Sequence, residues 1–274
     1  MHQTSAVSRP SWMVALSGGY GRQRRSPVEI VATAATYVTH NPVATVSGLR
    51  VGPLGRWADG VIALRGDCVT FADHWGAHNR HVLTESGPLW VVLGDSTAQG
   101  LGAPGPMGGY VGQVLAELRQ RTGQRWRVLN LSLSGALIRD VLGHQLPLLP
   151  AGADLVTCGI GANDVLYSAP AKLFADLRAL IGAVPDGTVL LDLPLPTGIW
   201  GIIGRASVPY VTRINQTIHQ TAAARGLTVA EVSAHFLPPW TGKFAGDAFH
   251  PSQDGYRDWA RALLAAIPAA APAV

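Results

Sequence analysis

Leu89-Trp-Val-Val-Leu-Gly-Asp-Ser-Thr-Ala-Gln-Gly100 is an apolar run that breaks abruptly into Gly94-Asp95-Ser96. Residues 89–93 are bulky or β-branched and uncharged, the composition of a strand buried on both faces of a parallel sheet. A serine where such a strand ends is a candidate nucleophile. It is equally a candidate helix cap, a role that Ser takes readily. The choice depends on whether the chain further on supplies a base, an orienting acid and oxyanion donors at places the same sheet brings together.

Strand-like runs recur at residues 127–131, 154–160, 188–193 and 227–232. Helical patterns lie between and after them: one through Val111, Val114, Leu115 and Leu118, then residues 138–146, 173–184, 208–225 and 253–267. Strands alternating with helices predict βαβ units, right-handed crossovers and a parallel sheet. Five strands with helices on both faces make a three-layer, doubly wound, flavodoxin-like α/β arrangement, in which ligands sit beyond the carboxyl ends of the strands.

Upstream, Val61, Leu64, Cys68, Phe71, Trp75, His78 and Val82 recur at steps of three and four. That spacing predicts one face of a helix over residues 57–83, closed by Gly87-Pro88. Residues 28–46 read as an amphipathic surface helix, interrupted by Glu29, His40, Asn41 and Pro42. The chain thus divides into an N-terminal extension (1–88), a main domain (89–267) and an Ala/Pro tail (268–274). The long helix of the extension packs either on the main domain or on a second subunit, which leaves room for a homo-oligomer.

Composition narrows the function. With 274 residues, of which 47% are hydrophobic, the chain supports one large core more readily than two full domains. The net charge of +4 is uneven: residues 1–56 carry six arginines against the single acid Glu29, leaving 15 basic and 16 acidic residues for the rest. The main body is therefore near neutral and has no basic stripe interleaved with aromatics, so no nucleic-acid partner is expected. The basic N-terminal segment is expected to give at most weak peripheral attraction to anionic lipid. Cys68 and Cys158 lack metal-ligand spacing and sit in apolar patterns, which fits buried free thiols in a reducing, cytoplasmic setting. No apolar run reaches the roughly 18 residues a spanning helix needs, and none reads as a signal peptide. His74, His78 and His81 share a helical spacing that a metal could use, but packing histidines are commoner, and no metal is expected.

Each strand end offers something chemical. The first ends at Ser96. The second runs into Asn130-Leu-Ser-Leu-Ser-Gly135, whose glycine lets a backbone N–H approach a ligand closely. The third runs into Gly159-Ile-Gly161-Ala-Asn163-Asp164, where the Asn amide can aim at an oxygen. Before the last helix lies Asp247-Ala-Phe-His250-Pro251. An Asp three residues before a His can reach the imidazole Nδ1 and leave Nε2 free to face a serine.

These four blocks, in this order along an α/β chain, resemble the SGNH hydrolase superfamily, the GDSL-type esterases and lipases, over residues 89–267. The resemblance implies Ser96 as nucleophile, His250 as base and Asp247 as its orienting acid. It further implies oxyanion donors from the Ser96 and Gly135 backbone N–H groups and the Asn163 side chain. Thr97 stands where the name-giving motif has Leu, and it is expected to point away from the chemistry. Physical chemistry asks for the same set, since a serine hydroxyl needs an adjacent base whose tautomer is fixed by a third group. The expected activity is hydrolysis of carboxylic esters, acyl or aryl, with lipids and acetylated glycans as substrate classes, through an acyl-enzyme on Ser96 and without a cofactor. The same triad would serve an acyltransferase with an alcohol acceptor, and a non-catalytic lipid- or glycan-binding module is the alternative of another class. The apolar loop after the fourth strand, with Ile199, Trp200, Ile202 and Ile203, is the candidate acyl wall, faced by Met107. The absence of GxSxG at Ser96 argues against the nucleophile elbow of the α/β-hydrolase fold.

Overall fold

The run that opens at Leu89 forms strand β1 (Leu89–Gly94), and all six of its residues are buried. The computed structural model of the protein describes residues 26–40, 55–199 and 202–267. The basic segment 1–25, the tail 268–274, Trp200 and the Ile203 side chain lie outside the described residues. Strands β2 (Arg127–Asn130), β3 (Leu155–Gly159), β4 (Val189–Leu191) and β5 (Thr228–Ala230) follow. Every pairing is parallel and the strand order is β2-β1-β3-β4-β5. This is the doubly wound arrangement expected from the alternation, and its direction reverses between β1 and β3, where Gly94 pairs with Gly159. The approach there is close. A Cβ on Gly94 would stand 2.6 Å from the Gly159 carbonyl, so only glycine fits the end of β1.

In chain order the helices are α1 (Pro27–His40), α2 (Gly55–Val82), α3 (Ser96–Gln99), α4 (Tyr110–Thr122), α5 (Ile138–Asp140), α6 (Ala162–Tyr167), α7 (Pro170–Ala183), α8 (Ile202–Ala224), α9 (Val232–His235) and α10 (Gln253–Ala266). Helix α4 packs on α10 and α7 on α8, and the sheet lies between with Trp90, Val92, Leu93 and Leu129 fully buried. Cys68 and Cys158 are both buried and are not joined in a disulfide. No helix among the described residues is long and apolar enough to cross a membrane.

Two helices differ from their sequence expectation. Residues 138–146 form one α-turn, then a π-helical turn (Val141–Gln145) and a 3-10 turn (Leu146–Leu148). Pro147 lacks the N–H that a regular helix would use, and the wider π-turn places Gln145 against the end of β1. Helix α8 begins at Ile202 instead of 208 and carries Pro209 within it.

Helix α2 settles onto the main domain of its own chain. Cys68, Phe71, Ala72, Trp75 and Val82 are buried, and the helix lies along β2, an edge strand of the sheet. An edge strand presents unpaired N–H and C=O groups, and here side chains of α2 take them. Asn79 Nδ2 donates to the Asn130 carbonyl (2.7 Å), the Asn130 N–H donates to Asn79 Oδ1 (3.1 Å), and the His78 ring bonds the Val128 carbonyl (3.0 Å). His78 is thereby engaged with backbone, and no group of three or more His, Cys, Asp or Glu placed to hold a metal ion occurs among the described residues.

Candidate active site

Ser96 is the first residue of α3, and Asp95 caps it. Asp95 Oδ1 accepts from the Thr97 N–H (2.9 Å) and the Thr97 hydroxyl (2.8 Å), and its backbone is extended at φ −118°. Thr97 therefore turns to the neighbouring carboxylate, which the sequence reading did not foresee. This use of Asp95 as a cap leaves His250 to a different acid. Burial pushes the Asp95 carboxyl up, against the Thr97 bonds and the nearby His250, which favour its charge.

The His250 loop reaches Ser96 from the other end of the chain. The hydroxyl Oγ of Ser96 lies 2.8 Å from His250 Nε2, and His250 Nδ1 lies 2.6 Å from Asp247 Oδ2. The other carboxylate oxygen, Oδ1, accepts from the backbone N–H groups of Phe249 and His250, both at 3.0 Å. These bonds wind the chain into a tight turn in which Ala248 adopts φ +52°, a conformation costly for any residue with a side chain. Burial alone would raise the Asp247 carboxyl. The bond to His250, its charge and the two N–H donors outweigh burial and hold it below its usual range. An ionised Asp247 accepts the hydrogen bond from Nδ1–H, which leaves Nε2 to accept from the Ser96 hydroxyl.

The loop is braced on three sides. Ala245 N–H donates to the His250 carbonyl (2.8 Å), and Gly102 lies so close that a Cβ there would meet the His250 side chain at 3.0 Å and the Pro251 carbonyl at 2.5 Å. Lys243 Nζ bonds Asp258 Oδ2 (2.5 Å), a carboxylate buried on α10 that also pairs with Arg261.

Gly135 and Asn163 come from the ends of β2 and β3. The Ala136 N–H bonds the Leu133 carbonyl (3.0 Å), closing a turn in which Gly135 takes φ +76°, a position that favours glycine. Asn163 Nδ2 donates to the Ala136 carbonyl (3.0 Å) and so fastens the β3 end to the Gly135 turn. A carboxamide nitrogen carries two hydrogens, so that bond leaves one for another acceptor. Asp164 adds a second tie, accepting from the Ile138 N–H (3.0 Å) and the Ser168 hydroxyl (2.9 Å).

Several buried polar residues that hold this edge together carry no assignment in the sequence reading. Gln145 accepts from the Gly94 N–H (2.8 Å) and donates to the Gly94 carbonyl (2.9 Å), acting as one more strand partner just before Ser96. Gln99, Asn130, Ser132 and Ser134 form a fully internal network beside the Gly135 turn. One signal was present: polar residues at 130, 132 and 134 alternate within an apolar strand end, which marks a buried hydrogen-bonded face.

Of the residues expected to line an acyl site, Ile199 is buried, Met107 is exposed, and Ile202 stands almost wholly in solvent at 86% exposure. Trp200 and the Ile203 side chain lie outside the described residues.

A five-stranded parallel α/β domain with a hydroxyl, an imidazole and a carboxylate chained at the carboxyl edge has the parts of a serine hydrolase. The chain belongs to the GDSL-like Lipase/Acylhydrolase family, whose model matches residues 92–257. Similar solved structures include a catalytic mutant of Axe2, an acetylxylan esterase from Geobacillus stearothermophilus, at 26% identity and TM-score 0.53, covering 67% of this chain and 95% of that one. The lipase Lip_vut3 from a goat rumen metagenome is 19% identical at TM-score 0.54, covering 65% and 97%. LAE5, an alpha/beta hydrolase enzyme from the metagenome of Lake Arreo, Spain, is 24% identical at TM-score 0.52, covering 68% and 97%. No curated protein sequence matches the chain. The protein is a carboxylic ester hydrolase of the SGNH/GDSL type.

Proposed function

We propose that the protein hydrolyses carboxylic esters through an acyl-enzyme on Ser96. The observation that carries this reading is the unbroken chain from Ser96 Oγ to His250 Nε2 and from His250 Nδ1 to Asp247. Ser96 Oγ attacks the ester carbonyl while its proton passes to Nε2, and the carbonyl oxygen becomes an oxyanion. Collapse breaks the bond to the alkoxide, which takes the proton back from Nε2 and leaves as the alcohol. Water then repeats the sequence on the acyl-enzyme with His250 as general base, releasing the acid and restoring Ser96. The Ser96 and Gly135 N–H groups and the second Asn163 amide hydrogen are the proposed oxyanion donors, each worth on the order of 100- to 1000-fold in rate. Lipids and acetylated glycans are the proposed substrate classes. An acetylxylan esterase and a lipase are both among the similar structures, and the first of these supports a short acyl group.

The test is a chain-length panel of p-nitrophenyl esters, run with and without alcohol acceptors. The expected result is hydrolysis by the wild type, none above background by Ser96→Ala, and fluorophosphonate labelling of the wild type only. Equal activity in the two proteins would sink the nucleophile assignment. Ester products that dominate over free acid when alcohol is present would show that an alcohol outcompetes water for the acyl-enzyme, and an unlabelled, inactive wild type would refute the acyl-enzyme on Ser96.

A further inference from the structure

We propose that helix α2, which lies before the span matched by the family, is a positioning element of the active site, acting through Trp75 and Gln99 on the turn that carries Gly135. The inference rests on the reading of Ser96 as nucleophile and Gly135 as an oxyanion donor.

The connection is continuous and buried. Trp75 Nε1 donates to the carbonyl of Gln99 (2.9 Å), the last residue of the short helix that Ser96 begins. The side chain of Gln99 spans to the other strand end: Nε2 donates to the Ser132 carbonyl (3.0 Å), and Oε1 accepts from the Ser134 hydroxyl (2.6 Å). Ser134 is the residue before Gly135. A parallel path starts at Asn79, which takes both the N–H and the carbonyl of Asn130. The Asn130 side chain in turn donates to the Ala98 carbonyl (2.9 Å) and accepts from the Ser132 N–H (3.1 Å) and hydroxyl. Trp75, Asn79, Gln99, Asn130 and Ser132 have no exposed surface, and Ser134 has 2%.

The same face of α2 also reaches the imidazole side of the site. Cys68 and Phe71 pack with Leu101, and Ala245 packs on that cluster. Leu101 accepts the Tyr256 hydroxyl through its carbonyl (2.6 Å), Gly102 backs His250, and the Ala245 N–H holds the His250 carbonyl. One helix thus underlies the hydroxyl, the Gly135 turn and the His250 loop.

A buried, fully bonded network has few alternative arrangements, so it fixes the distance between α3 and the Gly135 turn. That distance determines whether the Ser96 and Gly135 N–H groups converge on one oxygen. Donors pre-aimed at the developing charge act on the transition state and little on substrate binding. Loosening the network therefore lowers kcat and leaves KM nearly alone, whereas loss of folded protein lowers only the number of working sites.

The experiment uses the full chain carrying Trp75→Phe, Ser134→Ala or both, with Ser96→Ala as control. Sites are counted by active-site titration, kcat and KM are measured on p-nitrophenyl acetate, and affinity is measured for an aryl boronic acid, which forms a tetrahedral adduct with a nucleophilic serine. The expected result is a kcat per titrated site lower by ~10-fold in each single variant. KM is expected to stay within about 2-fold, boronate affinity to weaken in step with kcat, and the double variant to be less than additive because both changes act through Gln99. Unchanged kcat per site in both single variants, or losses confined to the count of working sites, would overturn the proposal. If Trp75→Phe does not fold, Asn79→Ser takes its place, because it breaks the second path from the same helix and leaves Trp75 packed. Full activity in Ser96→Ala would instead overturn the nucleophile reading.

Discussion

Asp247→Asn isolates what the carboxylate does for His250. Asparagine keeps nearly the same shape, and its Oδ1 can still accept from the Phe249 and His250 N–H groups, so the tight turn survives. What changes is the 2.6 Å bond to Nδ1. With Oδ1 held by the backbone, the amide NH2 faces Nδ1 and donates to it, which drives the imidazole into the tautomer with its proton on Nε2. That nitrogen stands 2.8 Å from Ser96 Oγ and can no longer accept its proton. The variant also removes the negative charge that stabilises the imidazolium formed during attack. A substitution of this kind, which preserves geometry and inverts the tautomer, costs ~10³- to 10⁴-fold in kcat, or about 4 to 5.5 kcal/mol of barrier. KM should change by less than about 3-fold, because no group that binds substrate is removed. Steady-state kinetics on p-nitrophenyl acetate, with thermal unfolding to show an intact fold, measure both. A kcat reduced by less than ~10-fold in a folded Asp247→Asn protein would refute the assignment of Asp247 as the residue that sets the tautomer.

Three further outcomes follow from the same geometry. Asn163→Ala removes one proposed oxyanion donor and should lower kcat on the order of 100- to 1000-fold; a change confined to KM in the same kinetic assay would count against that role. Gln145→Leu leaves the buried Gly94 N–H without its acceptor, while the Gly94 carbonyl keeps the Leu133 N–H, so urea unfolding should show a loss of about 1–3 kcal/mol. The two aspartates of the site respond oppositely to pH. Asp247 has a lowered folded pKa, so its stabilisation is present above its unfolded value and is lost as pH falls through the folded one. Asp95 has a raised folded pKa, so it costs nothing below its unfolded value and progressively destabilises as pH rises toward the folded one. Asp95→Asn should therefore unfold at a higher temperature than wild type at pH 7 and at nearly the same temperature near pH 3; a gap independent of pH would contradict burial as the dominant influence on Asp95.

The sequence by itself determined the alternation of strands and helices, the parallel sheet and the blocks that end at Ser96, Gly135, Asn163 and His250. These are local properties: buried parallel strands are written as short apolar runs, and the turns beyond them need glycine or a short polar side chain. It also separated Asp95 from Asp247 by spacing, since only the second stands three residues before a histidine. Tertiary structure alone decided the rest. Whether α2 belonged to its own domain could not be read from an apolar stripe, because the stripe records that a face is buried and not what covers it. The edge of β2 supplied that cover, through Asn79 and His78; His78 lies on the predicted face, but nothing in the sequence says that a strand edge bonds it, and Asn79 looks like a residue that faces water. The roles of Gln99 and Gln145 were equally hidden, because a glutamine that completes a strand end does so with partners 33 to 51 residues away. The setting of the expected acyl wall was hidden for a related reason: apolar character at 199 and 202 is the same whether a side chain is buried, as Ile199 is, or stands in solvent on the first turn of a helix, as Ile202 does.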